Sequence, residues 1–220
     1  MSIKTITEED IKTLETLAAK YPVRRSALLP MLHYVQSIQG MVSPAGIQVC
    51  ARVLDLTPAE VFAVATFYTM FKRFPMGKHH IGVCTNTLCA LLGGDELWKQ
   101  LTDILGIGHD ETTADGLFTL ERIECQAACT VAPVVTVNWE FMDSMNPKAV
   151  RELIEKLKMG APVQSTRGVQ ITSIAESGKV LAGINDGKYA ESPLADDSML
   201  AGLRVAKERK MSAPTGKGAK

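Results

Sequence analysis

Charge imbalance is absent from this chain of 220 residues: 24 lysines and arginines meet 24 aspartates and glutamates. Binding nucleic acid by neutralising phosphates calls for a basic excess, so that class is set aside. Long apolar runs are also missing. None approaches the roughly 18 residues that cross a bilayer, so no direct membrane insertion is expected. The opening Met1-Ser2-Ile3-Lys4-Thr5, followed by acidic Glu8-Glu9-Asp10, has no apolar signal core. It reads as the start of a cytoplasmic chain without a cleaved leader. No nucleotide fingerprint occurs either. Gly93-Gly94 is not a G-x-G-x-x-G loop, and there is no Walker sequence. Cysteine is scarce and odd in number, at five. In a reducing compartment no disulfide framework is expected.

What is present is enough for a core. Apolar residues make up 46% of the chain, and the length allows one or two domains. The first 75 residues carry helix punctuation. Thr7 and Asp10 form a capping-box pattern ahead of Ile11, Leu14, Leu17 and Ala18 at helical spacing. A second helix is predicted over Ser26–Gln39, with Gly40 as its stop. Ser43-Pro44 starts a third, with Ile47, Cys50 and Leu54 on one face. Thr57-Pro58-Ala59-Glu60 starts a fourth, continued by Val61, Val64, Ala65 and Tyr68. These make a small helical bundle. Phe62, Phe67, Tyr68, Phe71 and Phe74 are expected to pack in its core, a docking surface being the alternative.

At Phe74-Pro75-Met76-Gly77 the period changes. Strands are predicted over Lys78–Val83, Leu117–Glu124 and Val134–Val137, the last turning at Asn138-Trp139-Glu140 into a short strand around Phe141. Gly93-Gly94-Asp95 opens a helix with Leu97, Leu101, Ile104 and Leu105. Asn146-Pro147 caps another, with Val150, Leu153, Ile154 and Leu157. Residues 108–116 read as a polar loop. This is a small layer of helices over a sheet. After residue 160, Val169–Ile174 reads as one isolated strand. The end is basic: Arg204, Lys207, Arg209, Lys210, Lys217 and Lys220 face one acid, Glu208. It reads as a solvated tail, or as a segment that orders on a partner.

The chemistry lies in two close cysteine pairs. Cys84 and Cys89 follow the first strand; Cys125 and Cys129 follow the second. Neighbouring strands would bring the pairs together, and four thiolates on two loops can hold one centre. Spacing alone leaves four readings open: an iron–sulfur cluster held by four cysteines, a tetrahedral zinc site, a thiol/disulfide centre, although neither pair is C-x-x-C, or four unrelated buried cysteines. Thr85-Asn86-Thr87-Leu88 and Gln126-Ala127-Ala128 are small loops that can aim donors at sulfur. Cys50 is expected to be a small core hydrophobe. Of His79 and His80, one is expected to face solvent and one to pack. His33 and His109 have no partner at metal spacing. Trp98 and Trp139 read as packing residues, and Asp110-Glu111 as solvated charge.

The stretches Val83-Cys84-Thr85-Asn86-Thr87-Leu88-Cys89, Gly93-Gly94, Asp115-Gly116-Leu117-Phe118-Thr119-Leu120, Glu124-Cys125-Gln126-Ala127-Ala128-Cys129 and Ala132-Pro133 resemble one family. It is the family of the E-type subunit of NADH-quinone oxidoreductase, respiratory complex I. Thr66-Phe67-Tyr68-Thr69-Met70-Phe71 and Pro75-Met76-Gly77 fit it as well. The resemblance covers about residues 10–160. The same module occurs in NAD-linked hydrogenases and formate dehydrogenases. Two departures stand out: Ala127 where glycine is common, and Leu88 where proline is frequent.

The resemblance implies an α+β chain: a helical bundle over residues 1–77 and a thioredoxin-like [2Fe-2S] ferredoxin domain over 78–160 with a mixed sheet and flanking helices. Residues 161–220 lie outside the resemblance and read, from composition, as an extended C-terminal tail, partner-bound or flexible. It implies a [2Fe-2S] cluster on Cys84, Cys89, Cys125 and Cys129. It also implies a flavoprotein partner that carries FMN, the NADH site and another iron–sulfur cluster, alongside other peripheral-arm subunits of complex I. The chain would be a redox subunit, inactive alone, on the cytoplasmic side of the inner membrane within a membrane-associated complex.

Overall fold

The computed structural model describes residues 3–184, 197 and 200–212. Four helices come first. α1 (Glu8–Ala19) opens on the expected capping box: the Asp10 amide donates to Thr7 Oγ1 at 3.2 Å, and the Thr7 amide donates to Asp10 Oδ2 at 2.8 Å. α2 (Leu28–Gln39) is preceded by a 3-10 turn at Arg24–Ala27, so the α-helix starts two residues later than the periodicity suggested. Gly40, at φ +73°, ends it in the left-handed region. α3 (Pro44–Leu54) and α4 (Pro58–Phe67) begin with Ser43 and Thr57 caps and proline in the first turn. Their buried faces close one core, including Leu14, Leu17, Met31, Leu32, Val35, Cys50, Leu54 and Val61.

The second core lies under a five-stranded sheet in the order β2-β3-β1-β4-β5. The strands are β1 (His79–Cys84), β2 (Glu111–Thr112), β3 (Phe118–Ile123), β4 (Val135–Val137) and β5 (Glu140–Met142). β1 and β3 pair parallel, and the other pairings are antiparallel. A short α5 (Thr87–Leu91) carries Cys89. α6 (Gly94–Leu105) and α7 (Pro147–Lys158) cover the sheet with Leu97, Leu101, Val150, Leu153 and Ile154. Two pieces escape the sequence pattern: α5, and β2, which lies within the stretch read as loop.

The expected core role of the bundle aromatics needs correction. Phe71 is buried, but Phe62, Phe67 and Tyr68 are exposed, Phe67 at 76%. α4 ends at Phe67, and Tyr68 leaves in extended conformation. Phe67 and Tyr68 therefore fall where the chain turns out of the bundle, and Phe62 lies on the outer side of α4, off the inward stripe of Val61 and Ala65.

The region after residue 160 also differs. Val169–Ile174 forms no strand; one bridge joins Gln164 to Gln170, and Ile174 starts α8 (Ile174–Leu181). Residues 161–184 fold back over both cores. Val163 and Ile171 join the sheet core, while Ala182 enters the helical one. α9 (Ala201–Glu208) holds Arg204 and Lys207, with Leu203 half exposed. Lys217 and Lys220 lie outside the described residues.

Candidate metal centre

The sheet brings the two cysteine loops to one end. Cys84 is the last residue of β1, and its amide donates to Val134 O at 3.0 Å. In the parallel pairing Cys84 stands opposite Ile123. Cys125, two residues beyond Ile123, thus leaves the sheet at the same end. Asn86 ties the loops: its Nδ2 donates to Ile123 O at 3.3 Å and lies 3.9 Å from Cys84 Sγ. Cys84, Cys89, Ile123, Ala128 and Val134 pack as one apolar cluster.

The sulfurs form two pairs. Cys125 Sγ and Cys129 Sγ are 3.6 Å apart and exposed, whereas Cys84 and Cys89 are buried. Among the described residues, no group of three or more His, Cys, Asp or Glu side chains is arranged to hold a single metal ion. The thiols nevertheless feel one another across the pairs. Burial pushes the Cys89 thiol up to about 11, helped by Cys84 and Cys129 and opposed by an amide hydrogen bond from Val134. Cys129 is also raised, first by its contact with Cys125 and in part by Cys84. Four thiolates this close repel, and a cationic iron core removes that repulsion. The donor set therefore suits a group with two metal ions, each taking a pair.

Glycine is required beside this centre. Gly93 adopts φ +106°, and a Cβ on Gly94 would stand 2.6 Å from Cys84 O and 2.8 Å from Cys89 O. Ala127 adopts φ +55°, which explains mechanically why this loop favours glycine. Leu88, the other departure, is exposed on α5, as are Leu91 and Leu92 at that helix's end.

The remaining sequence candidates are not part of the centre. Cys50 is fully buried in the helical core, where desolvation pushes its thiol up to about 12. His79 and His80 are both buried, against the expectation that one faces solvent. His79 lies against Phe118, and desolvation lowers it to about 4. His80 stacks on Trp139 at 4.4 Å, and Trp98 lies under the Arg122 guanidinium at 4.8 Å. His33 packs on Phe71, and His109 Nδ1 accepts from the Arg122 amide.

Sequence reasoning missed a buried ionic chain. Lys72 Nζ pairs with Glu121, whose other oxygen is 2.7 Å from His80 Nε2; Asp110 lies 3.8 Å from Lys72. So Asp110 is not simply solvated. Burial raises the Glu121 carboxyl, but hydrogen bonds from His80 and Lys72, with the charge of Lys72, outweigh it and hold the carboxyl below its usual range. His80 is kept neutral by complete desolvation. Neutral imidazole donating from Nε2 also accounts for the lack of a partner at Nδ1. The available signal was Glu121 and His80 inside apolar strands: a charge there needs an opposite partner.

The family profile described as thioredoxin-like [2Fe-2S] ferredoxin matches residues 14–158. The chain belongs to the thioredoxin-like [2Fe-2S] ferredoxin family. It is 49% identical over 204 residues to the E-type subunit of NADH-quinone oxidoreductase of Mycobacterium tuberculosis, covering 92% of this chain and 81% of that one. It is 41% identical over 150 residues to NADH-quinone oxidoreductase subunit 2 of Thermus thermophilus, covering 67% and 83%. Among solved structures, a NAD+-reducing [NiFe]-hydrogenase chain matches with a TM-score of 0.55 at 24% identity, over 61% of this chain. That match spans only 22% of the longer hydrogenase chain and bears on fold alone. Within this ferredoxin family member, no helix among the described residues is long and apolar enough to cross a membrane.

Proposed function

We propose that this chain is the electron-transfer subunit of an NADH:quinone oxidoreductase. In this reading it holds a [2Fe-2S] cluster on Cys84, Cys89, Cys125 and Cys129. The observation that carries it is the pairing of four thiols at one end of the sheet, 3.6 Å apart in the exposed pair, in a chain 49% identical to a named subunit of such a complex. When bound, such a cluster supplies one-electron chemistry. The chain's own residues would set its environment. The Val134 amide donates to Cys89 sulfur and Asn86 Nδ2 approaches Cys84. Donors to sulfur favour the more negative, reduced state.

The partner in this proposal is a flavoprotein subunit bearing FMN, the NADH site and a further iron–sulfur cluster. A flavin takes a hydride and can release its electrons singly. Other peripheral-arm subunits complete the assembly, on the cytoplasmic side of the inner membrane. The same proposal treats residues 1–77 and 78–160 as the two domains. The hydrogenase alternative rests on likeness of fold, and the 49% identity favours the NADH:quinone reading.

The test is electron entry from NADH. With the flavoprotein subunit present, NADH should develop the low-temperature EPR signal of a reduced [2Fe-2S] centre on this chain. A signal that dithionite elicits and NADH never does would contradict exchange with the flavin.

A further inference from the structure

The family match ends at residue 158, yet the chain continues in ordered contact with both cores. Ile171 N donates to Val163 O, and both side chains enter the sheet core. Asn138 Nδ2, at the β4–β5 turn, donates to Thr172 O at 2.7 Å. Ile174 N donates to Lys78 O, immediately ahead of β1. A capping box between Ser173 and Glu176 then starts α8. α8 lies along α2 with Gly178 at the contact: a Cβ there would stand 3.0 Å from Ser37 Cβ and 3.4 Å from His33 O. Ala182 is 1% exposed, and Lys20 Nζ donates to Gly183 O at 3.2 Å.

We propose that residues 161–184 are an intramolecular clamp, and that the outer face of α2 is the docking surface built for it. One end of the clamp grips β1 and the β4–β5 turn; the other grips the helical core. Its occupant is α8 of the same chain, selected by the glycine that permits close approach of the two helices. The clamp touches the start of β1, which ends in Cys84, and the turn that follows β4, which begins just after Val134. It therefore steadies both strands that frame the buried sulfur pair. That second consequence rests on the proposed cluster; the docking itself does not.

The test uses the full chain with a protease site inserted at exposed Met159-Gly160. After cleavage under native conditions, the C-terminal fragment should co-elute with the body on gel filtration. Carrying Gly178→Leu, the nicked chain should lose the fragment. The uncut Gly178→Leu chain should keep its circular dichroism, while α2 amides exchange at least tenfold faster. Iron release to a chelator should then quicken several-fold. Dissociation of the fragment from the nicked parent chain, or unaltered retention with Gly178→Leu, would overturn the clamp. Retention that responds as expected, with iron release unchanged, would uphold the docking and remove only its link to the cluster.

Discussion

Ala127 illustrates how one residue bears a cost that its loop imposes. Its φ of +55° places an L-residue where Cβ crowds the following carbonyl, at about 1–2 kcal/mol. Glycine would relieve this, partly offset by the greater entropy it gives the unfolded chain. Ala127→Gly should therefore raise stability by about 0.5–1 kcal/mol, read as a higher urea midpoint with unchanged iron content. Histidines act at the same scale. Burial holds His33 and His79 at about 4, below the unfolded value of 6.5. The unfolded chain thus binds protons first as pH drops. Their contribution is complete above about pH 6.5 and is lost progressively toward pH 4. Between pH 7 and pH 5 stability should fall by on the order of 1–2 kcal/mol for each. Urea titrations should show this slope, and His33→Gln should flatten it.

Between elements, the decisive feature is the ionic chain joining the turn after α4 to β3 and β1. Lys72 and Glu121 are 5% and 8% exposed, so removing either charge strands the other in a poorly solvating interior. Lys72→Met should cost about 3–5 kcal/mol, and adding Glu121→Gln should restore part of it. Thermal unfolding of the single and double variants measures this. The helices were the most legible elements, because caps and periodicity are local: Thr7, Ser43, Thr57 and Asn146 each start the helix that their positions imply. The convergence of the two cysteine loops was legible for a different reason, since Cys84 and Cys125 each stand at the end of a β-branched or apolar strand. What stayed hidden depends on distant partners. β2 is two residues long and exists through its pairing with Thr119 and Leu120. The clamp read as an isolated strand because its anchors, Lys78, Asn138 and Ser37, lie far away in sequence. The aromatics misled because helical spacing gives a face but not where the bundle ends.

At the scale of the molecule, two cores are stitched by three devices: the ionic chain, the turn at Pro75-Met76-Gly77 and the clamp. Gly77 N donates to Thr119 Oγ1 at 2.7 Å, and Met76 N donates to Gly40 O at 3.1 Å. This arrangement presents an asymmetric centre, with one sulfur pair buried and the other at the surface. In the proposed function a redox partner would approach the exposed side, since electron exchange needs proximity. Exposed Leu88, Leu91 and Leu92 lie beside Cys89, on α5 and at its end. All of this depends on four sulfurs sharing one inorganic core. Iron and acid-labile sulfide should therefore be counted on the purified chain and on its single cysteine-to-serine variants, with EPR of the dithionite-reduced samples. About two irons and two sulfides per parent chain are expected, lost in Cys84→Ser, Cys89→Ser, Cys125→Ser and Cys129→Ser but kept in Cys50→Ser. A colourless parent chain with one zinc, or a full cluster surviving loss of any of those four thiols, would contradict the account.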